Sequence, residues 1–159
     1  MITFMRSDDR LIHGQVQTQI IPLNGIKHII AIDEPTAKNA MLKRIFEMAA
    51  PQGTTAKVYT FKNAIDPIKK ALTNDTKTLV IARLPSTFAQ LYDEIEGLPK
   101  ELNVASIPHV EGNKKITDYC SMNEEEIAAC NKMSDSGVHV YLQLFPAKAA
   151  ADWENVKNK

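Results

Sequence analysis

Cysteine is scarce in this chain, with Cys120 and Cys130 the only two among 159 residues. Two thiols make no disulfide framework, and each is expected to be buried or neutral. Glycine is sparse as well, at six residues. Neither a dinucleotide-binding glycine fingerprint nor a P-loop with its Lys-Ser/Thr pair is present, so a nucleotide-binding reading loses its best support. No stretch approaches the ~20 apolar residues that cross a bilayer. No basic region, long apolar core or small-residue cleavage site opens the chain, so no signal peptide is expected and a cytoplasmic location is. Charge of one sign is missing too. The 19 basic and 19 acidic residues sum to zero, which removes the argument for a general nucleic-acid or anionic-membrane binder. No pair of histidines or cysteines has metal-ligand spacing, and Ser7 and Ser106 sit in no nucleophile elbow. Neither a metal nor a cofactor is expected.

What is present is a repeated alternation. Short β-rich apolar runs occur at Ile2–Met5, Ile29–Ile32, Ala56–Tyr59, Leu79–Ala82, Val104–Ile107 and Val138–Leu142. The second and fourth are continuous rather than alternating, which suits parallel strands covered on both faces. Between them, apolar residues recur at helical spacing over Pro35–Ala50 (Met41, Leu42, Ile45, Met48), Asn63–Thr73, Ser86–Glu96 and the stretch after Ser121. Ser121 and Glu124 stand at capping-box spacing, Pro67 is read as falling near a first turn, and Pro22 as kinking the first helix or ending it early. The pattern predicts an α/β fold: a single doubly wound domain over residues 1–159, with a mainly parallel open sheet and helices on both faces. Residues 147–159 are expected as a C-terminal helix or a loose tail, with Trp153 there for packing.

In open parallel sheets, ligands gather where strand ends lead into helices. The loop after the first strand reads Arg6-Ser7-Asp8-Asp9-Arg10-Leu11-Ile12-His13-Gly14-Gln15. A neutral imidazole is a nucleophile near pH 7. Arg10 or Arg6 could clamp phosphoryl oxygens with a fork of donors, Gly14 allows close backbone approach, and Asp8 or Asp9 could hold the second ring nitrogen. Further candidates are Arg83 after the fourth strand, as an anion contact, and Asp33 at the end of the second, as a site-ordering or helix-capping residue. His109, in the loop after the fifth run, is a candidate neighbour of His13. His28 and His139 are read as structural or solvated.

The run Asp8-Asp9-Arg10-Leu11-Ile12-His13-Gly14-Gln15-Val16 resembles the phosphorylation-site signature of the IIB components of the mannose/fructose/sorbose family of bacterial sugar phosphotransferase systems. The likeness continues through Ile32-Asp33, Ala49-Ala50-Pro51, Glu101–Val104, Gly112-Asn113-Lys114 and Ser121–Gly137. It implies a histidine phosphocarrier, a protein-histidine:sugar phosphotransferase. His13 accepts a phosphoryl group from a IIA partner and passes it to a sugar imported by membrane IIC and IID partners, which recruit the chain to the membrane. The resemblance further implies Arg10 as phosphoryl support and Asp9 and Asp8 as the acidic pair; Gly14, Gln15, Ser106, Arg83 and Arg6 are read from their positions as candidates to cradle the phosphate. Nucleic acid is not among the implied partners, and homo-oligomerisation is left open. The chain departs from the family pattern at Ala105 and Ser106, in place of a glycine pair, and at Ile20, in place of a tryptophan. These departures leave a second expectation open, a regulatory or interaction protein of the same fold that no longer supports sugar transport. A third is a small-ligand α/β enzyme using the same cleft.

Overall fold

The computed structural model describes all of residues 1–159. Seven strands form one sheet: β1 (Ile2–Ser7), β2 (His28–Ile32), β3 (Thr55–Tyr59), β4 (Thr78–Ala82), β5 (Glu101–Val104), β8 (His139–Leu142) and β9 (Ala151–Asp152). Their order is β3-β2-β4-β1-β5-β8-β9, parallel except for β9. A separate antiparallel hairpin joins β6 (Lys114–Thr117) to β7 (Cys120–Met122). The helices are α1 (Ile21–Asn24), which continues a π-helical turn over Val16–Ile20, then α2 (Glu34–Ala37), α3 (Ala40–Met48), α4 (Phe61–Ala71), α5 (Pro85–Glu94), α6 (Glu124–Asp135) and α7 (Trp153–Val156). The doubly wound α/β expectation holds. No helix is long and apolar enough to cross a membrane.

The continuous apolar strands are covered on both faces because alternate side chains feed different cores. Ile29 and Ala31 of β2 and Leu79 and Ile81 of β4 pack with Leu11, Val16 and Ile20 on one side. Ile30, Ile32, Val80 and Ala82 join Ile68, Phe88, Cys130, Met133 and Trp153 on the other. The tail is ordered by this second core: Trp153 is fully buried and its Nε1 donates to Asn131 Oδ1 at 2.9 Å, while β9 pairs with β8.

Several local expectations are corrected. The fifth strand is Glu101–Val104 rather than Val104–Ile107, because after Val104 the chain turns away so that the Ser106 carbonyl accepts from Asp9 N at 2.9 Å. The helix expected over 35–50 is two helices, since Asn39 leaves the helical conformation and its side chain caps α3 by accepting from Leu42 N. Met41, Leu42, Ile45 and Met48 face solvent instead of the core. Asn123, not Ser121, caps α6, and Ser121 belongs to β7. Pro67 lies in the second turn of α4. Pro22 does not end its helix: the π turn before it, closed by Ile21 N–H to Val16 O, widens the coil where a proline ring would meet the preceding carbonyls, and Gly25 in the left-handed conformation makes the stop.

Candidate functional site

Strands β1 and β4 lie side by side, and the chain leaves them in opposite directions, β1 toward β2 and β4 toward β5. Their carboxyl ends lie at the end of the sheet where folds of this kind bind ligands, and the β1 loop sits there. Asp8 N donates to Ala82 O and Ser7 Oγ donates to Arg83 O, so the two strand ends are bonded together.

Arg6 and Asp8 are two residues apart at the end of a strand and point to the same side. Both are fully buried, and Arg6 meets Asp8 Oδ2 through Nε at 3.2 Å and Nη2 at 2.9 Å. The same carboxylate oxygen lies 2.7 Å from His13 Nε2, and Asp8 Oδ1 accepts from the Arg10 backbone N–H. Asp8 is thus the acidic residue that orients His13. Asp9 contributes through its backbone, whose carbonyl accepts from Arg83 Nη1. The turn is closed by Leu11, whose N–H donates to Asp8 O and whose φ is +54°, a left-handed conformation that a buried leucine adopts only where packing enforces it. His13 is left with an 11% exposed side chain and a buried Nδ1 that has no hydrogen-bond partner.

Two further arginines are tied into the loop. Arg10 is exposed and its Nη2 donates to Gln15 Oε1 at 3.0 Å, so its guanidinium sits at the mouth of the loop without a carboxylate partner. Arg83 is held by Asp33, Nε to Oδ1 at 2.9 Å, while Asp33 Oδ2 accepts from Thr36 Oγ1. Asp33 caps no backbone N–H of α2, and its two oxygens are shared between Arg83 and the Thr36 hydroxyl in the first turn of that helix. Two expectations change here. Arg6 is no phosphate cradle, because its Nε, Nη1 and Nη2 are used inside the protein on Asp8, Asn103 and Leu144. His109 is no ring neighbour in the hydrogen-bonded cluster: its Nδ1 faces Ser121 Oγ at 3.4 Å in a separate cleft of about 450 Å³ beside the β6–β7 hairpin. Ser106 borders both places, with its carbonyl on the Asp9 N–H and its side chain toward that cleft. Gly14 is exposed and a Cβ there would touch nothing within the chain.

The sequence reading missed Asn103, which is buried, accepts from Arg6 Nη1 at 2.6 Å and donates to Gln143 O. An asparagine between Leu102 and Val104 in a strand was the available signal, since a polar side chain inside a sheet requires a buried partner. The departures from the family pattern at Ile20 and Ala105 are packed in the interior, at 2% and 0% exposure, and so do not alter the mouth of the site.

Comparison with known proteins gives the arrangement its context. The family model for the sorbose-subfamily IIB component of the phosphotransferase system matches residues 2–159. The N-acetylgalactosamine-specific phosphotransferase enzyme IIB component 2 of Escherichia coli is 28% identical over 152 residues, covering 95% of each chain. The fructose-specific EIIB component of Bacillus subtilis is 26% identical over 156 residues, covering 98% of this chain and 94% of its own. Among solved structures, manxB from Thermoanaerobacter tengcongensis superposes with a TM-score of 0.87 at 30% identity, covering 100% of this chain and 96% of that one. The IIBSor domain of the sorbose permease from Klebsiella pneumoniae gives 0.88 at 22% identity, covering 99% and 94%.

These findings correct one expectation. They support a IIB-type phosphotransferase enzyme, and the narrower protein-histidine:sugar phosphotransferase with its phosphoryl group on His13 is withdrawn to that level. The chain holds a second class of nucleophile in the free, buried thiols of Cys120 and Cys130. In this conformation burial pushes the Cys120 thiol up to about 12 and the Cys130 thiol up as well, which keeps both protonated near neutral pH. The chain belongs to the mannose/fructose/sorbose family of phosphotransferase-system IIB components.

Proposed function

We propose that this chain relays phosphoryl groups in a sugar phosphotransferase system, between a IIA-type donor and a sugar handled by membrane IIC and IID partners. The β1 loop is where the group is handled, with His13, Arg10, Asp8 and Asp9 as its working residues. One observation carries the reading: Asp8 holds His13 Nε2 at 2.7 Å while Nδ1 is without a partner. An ionised carboxylate only accepts, so Nε2 carries the hydrogen in the neutral ring and Nδ1 keeps its lone pair. The ring is thereby fixed in the loop with one nitrogen, Nδ1, unpartnered.

The surrounding charges divide the labour. Arg10 leaves Gln15 for the phosphoryl oxygens, since its tie to that side chain is one exposed hydrogen bond. Arg83, fixed by Asp33 and by the Asp9 carbonyl, supplies a second positive charge that does not need to move. Gly14 and Gln15, which follow His13, and Ser106, whose carbonyl holds the Asp9 N–H, complete the proposed surround. Catalysis on this view is positioning and charge stabilisation, with no nucleotide in the step.

The test is a phosphoenolpyruvate-driven relay supplied with a IIA donor, read by intact mass and single-turnover rate. Uptake by the wild-type chain is expected, with at least a hundredfold loss in His13→Gln, the scale of a removed catalytic group. A Cys120→Ala/Cys130→Ala double variant run beside it reports whether the free thiols take part. Undiminished uptake in His13→Gln, or loss confined to the cysteine variant, would move the chemistry away from the β1 loop.

A further inference from the structure

We infer that Arg6 and Asn103 are positioning residues for His13, and that together they determine which ring nitrogen is free. The inference deepens the proposed function and rests on it for its meaning, but its first readout does not require any phosphoryl transfer.

The starting point is a guanidinium that the fold would otherwise do better without. Arg6 is fully buried on the sheet, where desolvating an ion costs several kcal/mol unless every contact is made. The contacts are made, and they converge. Nε and Nη2 both point at Asp8 Oδ2, the oxygen that His13 Nε2 also meets. A carboxylate oxygen shared by three nitrogens accepts from all of them. A carboxylate oxygen only accepts, so the third nitrogen must present a hydrogen. The consequence at the ring is one tautomer, Nε2–H, with Nδ1 unprotonated. The arginine's charge also balances the carboxylate's, so Asp8 orients the imidazole without standing as a lone buried anion against it.

Asn103 keeps the fork pointed. Its Nδ2 donates to Gln143 O at 3.1 Å, which fixes the amide so that Oδ1 faces Arg6 Nη1 at 2.6 Å. Arg6 Nη2 reaches Leu144 O at 2.7 Å as well. Strand β5 and the start of the loop after β8 therefore bear on the ring through two side chains, and neither touches His13. Groups that orient a working imidazole through its partner act in this way around metal-bound histidines, where their loss costs roughly tenfold to a hundredfold.

The experiment is ¹⁵N NMR of the histidine rings in the free, full-length protein at a pH where His13 is neutral, alongside single-turnover transfer. Wild type is expected to show His13 as the Nε2–H tautomer alone. Asn103→Ala removes the hold on the fork, and Arg6→Lys keeps the charge but cannot serve Asp8, Asn103 and Leu144 together. Either variant, once its remaining amide spectrum shows the native fold, is expected to give a mixture of tautomers and a transfer rate lowered roughly tenfold or more. A folded variant that keeps the pure Nε2–H signal overturns the inference, as does a wild-type ring already in the mixture. If the tautomer shifts while transfer proves indifferent to His13→Gln, the positioning stands and the proposed function falls.

Discussion

At the scale of single residues, the site is a set of paired charges with one exception. Asp8 serves Arg6 and His13, Asp33 serves Arg83, and Arg10 alone has a neutral partner. That difference predicts which arginine is mobile and which is fixed. Arg10→Lys keeps the charge but replaces a planar fork by a point charge, so the transfer rate is expected to fall about tenfold with stability unchanged within about 0.5 kcal/mol, because the side chain is exposed. Single-turnover rates and urea unfolding read the two effects separately. A transfer rate equal to wild type would show that charge alone suffices at that position. The residue types in this loop were legible from sequence, but their division of roles was only partly so. Arg6 and Asp8 stand two apart in a strand, and a period of two puts them on one side, so their pairing could have been read. What sequence could not show is that Asn103 arrives from β5 to meet them, since that contact joins residues 97 positions apart.

At the scale of elements, strands were more legible than helices, for a physical reason. Buried parallel strands need apolar residues at every position, which leaves a dense signal at β2 and β4. The helical period reports an apolar face without saying what lies opposite it. Helix α3 shows the consequence: Met41, Ile45 and Met48 repeat with helical spacing, yet they are 72%, 60% and 74% exposed. Only Phe46 of this helix packs against the core. Replacing Ile45 by Gln is therefore expected to change stability by less than about 0.5 kcal/mol. Had the face been core, the same change would cost about 2–5 kcal/mol, the scale of losing a buried isoleucine. Chemical unfolding in urea distinguishes the two, and a loss above about 2 kcal/mol would return the helix to the core.

At the scale of the whole molecule, two groups taken partly out of water carry opposite responses to acid. Glu126 of α6 is buried, with both oxygens on Ser86, N–H to Oε1 and Oγ to Oε2, each at 2.8 Å, so this carboxylate caps the neighbouring helix α5. Burial nevertheless pushes its carboxyl up, since desolvation outweighs those two hydrogen bonds. The folded state then binds the Glu126 proton more tightly than the unfolded chain does. Its contribution to stability is full below the unfolded value near 4.5 and is lost as pH rises through the folded one. His28 at the start of β2 runs the other way: burial pushes its ring down, so the fold favours the neutral form. That stability is present above the unfolded value of 6.5 and is lost as pH falls through the folded one. Acid thus weakens the protein through His28 and relieves it through Glu126. Glu126→Gln separates the two. The amide still accepts from Ser86 N–H through its oxygen and donates to Ser86 Oγ through its nitrogen, while the buried charge is gone. The variant is expected to gain on wild type at neutral pH, and to lose that advantage as pH falls toward the acid range where Glu126 itself is protonated. Urea unfolding of both proteins across pH 4 to 8, roughly the span of the reference carboxyl and histidine values, measures the difference curve. A constant offset at every pH would mean that Glu126 is not charged at a cost in the fold, and that its two bonds to Ser86 already balance its burial.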